Sequence, residues 1–240
     1  NNHIFITGIK FIYFWKIAEF LLSSKWYNRP MLKVRKNFLY LLLVSLLSNN
    51  ILSEEDPYIF IDKNAQQMVI VLIENKSLFL EDRLAYENKI KEIFEPMIDF
   101  KRVAAGVMGR QYYMQATPEQ RNEFVNVFRN SLLDTYAETL AQWENQNIDT
   151  IFPETRDFFD KKNIEVRQML NTGSSKYPIS YKLRKGNNGS WMIINIIVNG
   201  VNLGLTFKNQ FQALATKNNG DIEKTLDGWV SDAGDAGISG

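Results

Sequence analysis

The spacing of apolar residues changes near Trp143, and this change constrains the fold more than any other feature of the sequence. Before it, apolar residues recur every three to four positions, as in Phe124, Phe128 and Leu132, which is typical of amphipathic helices. After it, apolar and polar residues alternate, which is typical of β-strands. A helical half followed by a half made of strands predicts an α+β domain.

These patterns predict four main helices, followed by four consecutive strands that form an antiparallel meander. The helices are predicted at 57–75, 83–97, 100–114 and 118–143. The strands are predicted at 148–152, 164–170, 179–183 and 191–198, with a tight hairpin at 186–189 and closing helices at 206–216 and 221–230.

The helical half contains two local sequence signals, one for a helix start and one for a close approach to the backbone. Thr117, with Pro118 after it and Gln120 three positions on, predicts a capping box at a helix start. Gly106 and Gly109 fall within the predicted helix 100–114, where each glycine costs roughly 1 kcal/mol relative to alanine. The pair predicts a close approach to that backbone, either by the sheet or by a ligand.

The N-terminal region has the pattern of an export signal. Lys33, Arg35 and Lys36 precede an apolar run, 38–47, of about ten residues, which is short of the ~20 that a membrane span needs. We therefore predict a signal peptide at 31–53, with a membrane anchor or a buried helix as alternatives. Residues 1–30 are interpreted as upstream, non-native translation, the alternative being a first membrane helix.

The remaining chain is predicted to form one domain, 54–231, with a flexible Gly- and Asp-rich tail at 232–240. The chain has no cysteine, and its single histidine is His3. These absences exclude catalysis by Ser-His-Asp or Cys-His groups and metal sites with histidine or thiolate ligands. From residue 54 onward acidic residues outnumber basic ones by five, which argues against nucleic-acid binding.

Two separated parts of the chain carry a family resemblance. The segment 99–140, with V-A-A-G-V-M-G-R-Q-Y-Y-M-Q-A-T-P-E-Q-R at 103–121, resembles the MlaC family, also called the toluene-tolerance family. P-I-S-Y-K-L-R-K (178–185), G-S-W-M-I-I-N-I-I-V-N-G-V-N-L (189–203) and F-K-N-Q-F (207–211) follow in the family's order. Where the family usually shows an acidic residue and E-G-V-S-L, this chain has Asn195 and N-G-V-N-L.

The resemblance implies a periplasmic protein that binds diacyl phospholipid and needs neither a cofactor nor a metal. It implies a curved four-stranded antiparallel sheet packed against helices, in an NTF2-like cone with a deep apolar cleft. It also implies two partners, an inner-membrane MCE-domain protein of an ABC transporter and an outer-membrane lipoprotein–porin complex. Such a shuttle carries lipid between the two membranes and maintains the lipid asymmetry of the outer membrane.

Strand alternation then predicts which residues line the cleft. Along 191–198, every second side chain points to the same face, and the uninterrupted apolar set excludes the amide of Asn195. The predicted lipid-binding residues are Met192, Ile194, Ile196 and Val198 on the strand, facing Val103, Val107, Phe124, Phe128 and Leu132 on the helices.

Two other functions fit the same composition. One is a cavity enzyme of similar cone-shaped architecture in which a carboxylate transfers a proton, but Asp134 and Tyr136 point about 200° apart on a helix and cannot share a face. The other is an exported structural domain whose apolar strand is covered by protein alone. Lipid extracted from the purified protein distinguishes all three.

Overall fold

The computed structural model describes residues 55–232. The predicted upstream segment 1–30, the predicted signal peptide 31–53 and the tail from residue 233 lie outside the described residues. In chain order the elements are α1 (Pro57–Glu74), α2 (Leu78–Glu81), α3 (Arg83–Phe94), a 3₁₀ helix (Glu95–Met97), α4 (Phe100–Gln115), α5 (Pro118–Ala141), β1 (Asn147–Ile151), β2 (Asn163–Asn171), β3 (Lys176–Lys185), β4 (Trp191–Val198), β5 (Val201–Asn202), α6 (Leu203–Lys217) and α7 (Ile222–Asp227).

The predicted α+β architecture is confirmed. The predicted helices and strands are present, and their ends differ from the prediction by at most three residues. The capping box at the start of α5 is also confirmed, since Thr117 Oγ1 accepts a hydrogen bond from the Gln120 backbone N–H at 3.2 Å. In return, Gln120 Oε1 accepts one from the Thr117 backbone N–H at 3.0 Å.

The strands form one antiparallel sheet in the order β1-β2-β3-β4-β5. The prediction of four strands was wrong by one, because β5 pairs with the end of β4. Asn199 (φ 50°) and Gly200 (φ 83°) make the two-residue turn between them. An Asn-Gly pair tolerates positive φ at both positions and is the usual sequence of such a hairpin turn, so this signal was available in the sequence.

A bulge interrupts β4. Lys182 of β3 pairs with Asn195, whereas the next residue, Leu183, pairs with Ile193. Ile194 is therefore an extra residue without a partner on β3. A bulge of this kind shifts the alternation of side chains between the two faces of the strand by one position.

Helices cover one face of the sheet. α1 lies across β1 and β2, where the Gln66 side-chain amide donates a hydrogen bond to the Ile148 carbonyl oxygen at 2.9 Å. α4 and α6 contact β4 and each other, α5 packs on α3 and α4, and α7 closes against α5 and α6. Within residues 55–232, no helix is both long enough and apolar enough to cross a membrane.

The two glycines of α4 do not serve a common purpose. A Cβ atom built on Gly106 meets nothing within 4 Å, so the predicted close approach at this position was wrong. Gly109 has φ 70° and ψ 163° and kinks the helix, and its neighbours are Lys208 and Gln212 of α6 rather than the sheet. Only Gly109 therefore needs to be glycine, chiefly for its backbone conformation.

Candidate functional site

The five helix residues predicted to line a cleft belong to one hydrophobic cluster. Val107, Phe124 and Phe128 are at most 1% exposed and lie inside it, while Val103 and Leu132 are half-buried and pack against it. We call this cluster 1, and its members from the sheet and α6 include Val166, Leu183, Trp191, Ile193, Phe207 and Phe211. The structure thus brings the five helix residues together against the sheet, while their contact with a ligand stays a prediction.

The four strand residues predicted to face them do not share a face, because the prediction assumed uninterrupted alternation along β4. Ile196 and Val198 pair with inward-facing residues of β3 and pack against the hydrophobic clusters. Met192 lies before the bulge on the opposite face, Ile194 is the bulged residue, and neither belongs to a cluster. The residues that take their place on the helix-facing side are Trp191 and Ile193.

Two smaller clusters adjoin cluster 1. Cluster 2 lies between α1, α3 and α5 and consists of Leu72, Tyr86, Ile90, Leu133 and Ala137. Cluster 3 lies on the sheet beneath α1 and consists of Ile148, Leu170, Ile179 and Val198. The helix-facing side of the sheet is therefore apolar along most of its length, divided between clusters 1 and 3.

Six side chains, which we call the junction, each pack against two of the three clusters. They are Met68, Phe94, Trp143, Tyr181, Ile196 and Leu203. Every one of them is only half-buried, although protein interiors are normally close-packed. The places where the clusters meet therefore reach the surface of the protein.

Hydrogen-bonding groups without protein partners border cluster 3. The Nε1 atom of Trp143 is buried and has no acceptor within residues 55–232. Gln168 is fully buried, and its Nε2 donates to Thr150 Oγ1 at 2.8 Å while its Oε1 has no donor among the described residues. Burial raises the pKa of Tyr181 above the usual range of a tyrosine, so its hydroxyl keeps its proton as a potential donor.

Two depressions on the surface of residues 55–232 differ in character from the junction. The first, of about 720 Å³, is open and lined mainly by polar residues: Asn88, Lys91, Glu92, Glu95 and Pro96. The second, of about 240 Å³, lies between the start of α4, α5 and the outward-facing Met192. In addition, no group of three or more Asp, Glu, His or Cys side chains within residues 55–232 is placed to hold a metal ion.

The domain is therefore a helix-covered antiparallel sheet whose helix-facing side is apolar and reaches the surface at the junction. Residues 62–231 match the family described as MlaC protein. Because this match spans well over half of the 240 residues, the chain belongs to the MlaC family. It is a family of phospholipid-binding transport proteins, not of enzymes.

Named relatives agree with this membership. The chain is 29% identical over 182 residues to a toluene tolerance protein of Pseudomonas putida, covering 76% of this chain and 83% of that protein. It is 23% identical over 167 residues to the intermembrane phospholipid transport system binding protein MlaC of Haemophilus influenzae, covering 68% and 77% respectively.

A solved structure shares the fold. It is the phospholipid-binding protein from Ralstonia solanacearum in complex with a phospholipid, with a TM-score of 0.64 and 25% sequence identity. The similarity covers 72% of this chain and 94% of that protein. Almost all of a domain that holds a phospholipid therefore has a counterpart in this chain.

Sequence reasoning missed most of the junction. Trp143 marks the change of periodicity and Tyr181 belongs to an alternating strand, but neither signal says that the residue joins two clusters. Met68 and Leu203 come from α1 and α6, which were predicted as helices without being assigned to a site. Their convergence depends on how separate elements pack, and a pattern within one element does not contain that information.

Proposed function

We propose that the protein is a phospholipid carrier that takes up one diacyl lipid between the helices and the sheet. The observation that carries this proposal is the likeness to a solved phospholipid complex, which extends over 94% of that protein. In this proposal the sheet and helices form the walls of an NTF2-like cone, and the apolar clusters border its lipid cleft.

The junction is the proposed entrance for the acyl chains. Phe124 and Phe128 are completely covered by protein, whereas Leu132 and Ile196 keep exposed surface nearer the meeting point of the clusters. One acyl chain of ~16 carbons withdrawn from water gains on the order of 12 kcal/mol before ordering costs. That gain favours local separation of the helices from the sheet, where the chains come to lie against the remaining predicted residues, Val103, Val107, Phe124, Phe128, Leu132, Ile196 and Val198.

The proposed cellular role is that of a periplasmic shuttle. The predicted signal peptide at 31–53 supports export, and the relative from Haemophilus influenzae is named as part of an intermembrane phospholipid transport system. The proposed partners are the inner-membrane MCE-domain protein of an ABC transporter and the outer-membrane lipoprotein–porin complex. Passage of lipid between them would maintain the asymmetry of the outer membrane.

Native mass spectrometry of the gently purified, exported protein tests the carrier function. We expect one diacyl phospholipid per chain, released on denaturation and identified after extraction. A protein that is recovered without lipid, and that takes up none from phospholipid vesicles, would contradict the proposal and favour an exported structural domain.

A further inference from the structure

The segment after α7, residues 228–232, lies against α5 and α6 and forms neither a helix nor a strand. We call it the strap. Its side chains alternate between buried and exposed positions, since Trp229 and Ser231 are at most 5% exposed and Val230 between them is 63% exposed. The strap is therefore anchored to the domain by one aromatic and one polar residue.

Trp229 helps to cover the two phenylalanines that the proposed lipid cleft has to reach. Its ring centroid lies 5.6 Å from that of Phe124 and 6.5 Å from that of Phe128. Three further rings, all on helices, contact one or both of these phenylalanines: Phe100, Phe207 and Phe211. Among these covering rings, only that of Trp229 belongs to a segment outside the helices, so it can leave without the displacement of a helix.

A pair of buried serines holds the strap to α5. The Ser231 backbone N–H donates to Ser131 Oγ at 2.6 Å, and the Ser131 hydroxyl donates to Ser231 Oγ at 3.1 Å. On α6, the side-chain amide of Gln210 donates to the Asp232 carbonyl oxygen. Together with the Trp229 ring, these hydrogen bonds fasten the strap to the two helices.

The closed position of the strap leaves polar atoms unsatisfied. Trp229 Nε1 is buried and has no acceptor within residues 55–232, and Gln210 Oε1 has no donor there. Both atoms gain water as a partner when the strap is released, which offsets part of the cost of exposing the indole ring. By contrast, the Trp191 indole N–H donates to the Glu55 carbonyl oxygen at 2.9 Å.

We propose that the strap is a gate of the lipid cleft. Its release withdraws Trp229 from Phe124 and Phe128, and the ends of the acyl chains take up the space that the indole ring vacates. The junction remains the entrance, the strap controls the room beyond it, and the two serines are the latch that keeps the strap closed. The inference rests on the proposed carrier function and adds the segment that regulates lipid uptake.

A reversible cross-link across the latch tests the gate. Ser131 Oγ and Ser231 Oγ are 3.1 Å apart, so cysteines at both positions are placed to form a disulfide, and the chain has no other cysteine. Delipidated protein with Ser131→Cys and Ser231→Cys is mixed with phosphatidylethanolamine vesicles, and native mass spectrometry follows lipid loading with and without a reductant. Because uptake is proportional to the open fraction, we expect the oxidised form to load about tenfold more slowly than the reduced form.

Ser131→Ala tests the same latch without a cross-link. It removes both hydrogen bonds to Ser231 and keeps every ring, so the open fraction and the loading rate should rise about fivefold. Thr225→Val is the matched control, because it removes the hydrogen bonds of a buried hydroxyl in α7 to the Asp221 carbonyl oxygen and the Asn218 side chain. These bonds do not hold the strap, so its loading rate should equal that of the unaltered protein.

Two results would overturn the gate while leaving the carrier function intact. One is an equal loading rate for the oxidised and reduced forms of the double cysteine variant. The other is a loading rate of Ser131→Ala that is no higher than that of Thr225→Val, and this comparison decides alone if the disulfide does not form. An unaltered protein that takes up no lipid from the vesicles would overturn both the gate and the carrier function.

Discussion

At the scale of single residues, Asn195 and Asn202 connect β4 to the start of α6. Asn195 Oδ1 accepts hydrogen bonds from the backbone N–H groups of Ile196 and Gly204 at 2.9 and 3.0 Å. Its Nδ2 donates to Asn202 Oδ1 at 2.9 Å, and that oxygen also caps α6 by accepting the Leu205 N–H at 3.1 Å. A Cβ on Gly204 would lie 2.6 Å from Asn195 Oδ1, so this network requires glycine there.

The network explains how two amides serve at the positions where the resemblance to the family implies an acidic residue and a serine. Asn195→Asp places a carboxylate oxygen against Asn202 Oδ1, and we expect a loss of about 1–2 kcal/mol of folding free energy. Adding Asn202→Ser should recover most of this loss, since a serine hydroxyl can cap α6 and donate to the carboxylate at once. Urea unfolding of both single variants and the double variant measures the coupling, and additive effects would contradict the explanation.

The same substitution made at Ile196 and at its neighbour Ile197 tests which face of β4 binds lipid. Ile196 is one of the junction side chains, whereas Ile197 lies on the opposite face, where it pairs with Ser180 and Asn202. An aspartate at 196 must stay charged beside hydrocarbon or take up a proton, and either costs several kcal/mol of lipid binding. We expect Ile196→Asp to lose its bound phospholipid, as measured by extraction and mass spectrometry.

Ile197→Asp is the control, and it should keep its lipid if it folds. Circular dichroism of both variants establishes that any loss of lipid occurs in folded protein. A normal lipid load in Ile196→Asp, or a selective loss in Ile197→Asp, would show that the helix-facing side of β4 is not the lipid-binding side.

At the scale of elements, the two glycines of α4 allow a direct test of the kink. Gly109 has φ 70° and ψ 163°, a combination that costs an L-residue about 1–3 kcal/mol. Gly106 is exposed, helical and free of neighbours, so alanine there should be neutral or stabilise by about 0.5–1 kcal/mol. We expect Gly109→Ala to lower the midpoint of thermal unfolding and Gly106→Ala to leave it unchanged or raise it. Equal effects would mean that the kink does not matter for stability.

The same two elements show what the sequence can and cannot predict. Periodicity located the helices and strands within three residues, because it reports which side of one element is buried. The bulge at Ile194 escaped this reasoning, because its one polar neighbour in the strand, Asn195, lies on the outward face with or without the bulge, and the other residues of the strand are all apolar. For this reason alone, the assignment of Met192 and Ile194 to the helix-facing side of the strand was wrong. Gly106 and Gly109 likewise look equivalent in sequence, although only one has a positive φ.

At the scale of the whole molecule, the three clusters make the folded state responsive to its ligand. Clusters 1, 2 and 3 are linked through half-buried side chains of three helices, the sheet and the segment after α5, so a lipid at the junction would touch all three clusters. A ligand that binds only the folded state stabilises it by mass action, by about 2.7 kcal/mol when its free concentration is a hundred times its dissociation constant. Lipid should therefore stabilise the whole domain and not one loop.

We accordingly expect phospholipid to raise the midpoint of thermal unfolding of delipidated protein by roughly 5–10 °C at such saturation. Differential scanning calorimetry with and without added lipid measures the shift. Ile196→Asp should show little or none of it, because its carboxylate opposes the acyl chains at the junction, whereas Ile197→Asp should shift as the unaltered protein does. An equal shift in both variants would mean that lipid stabilises the protein from its outer surface. A ligand inserted between the clusters would instead be sensitive to whether the aspartate lies on the helix-facing side of β4 or on the opposite face.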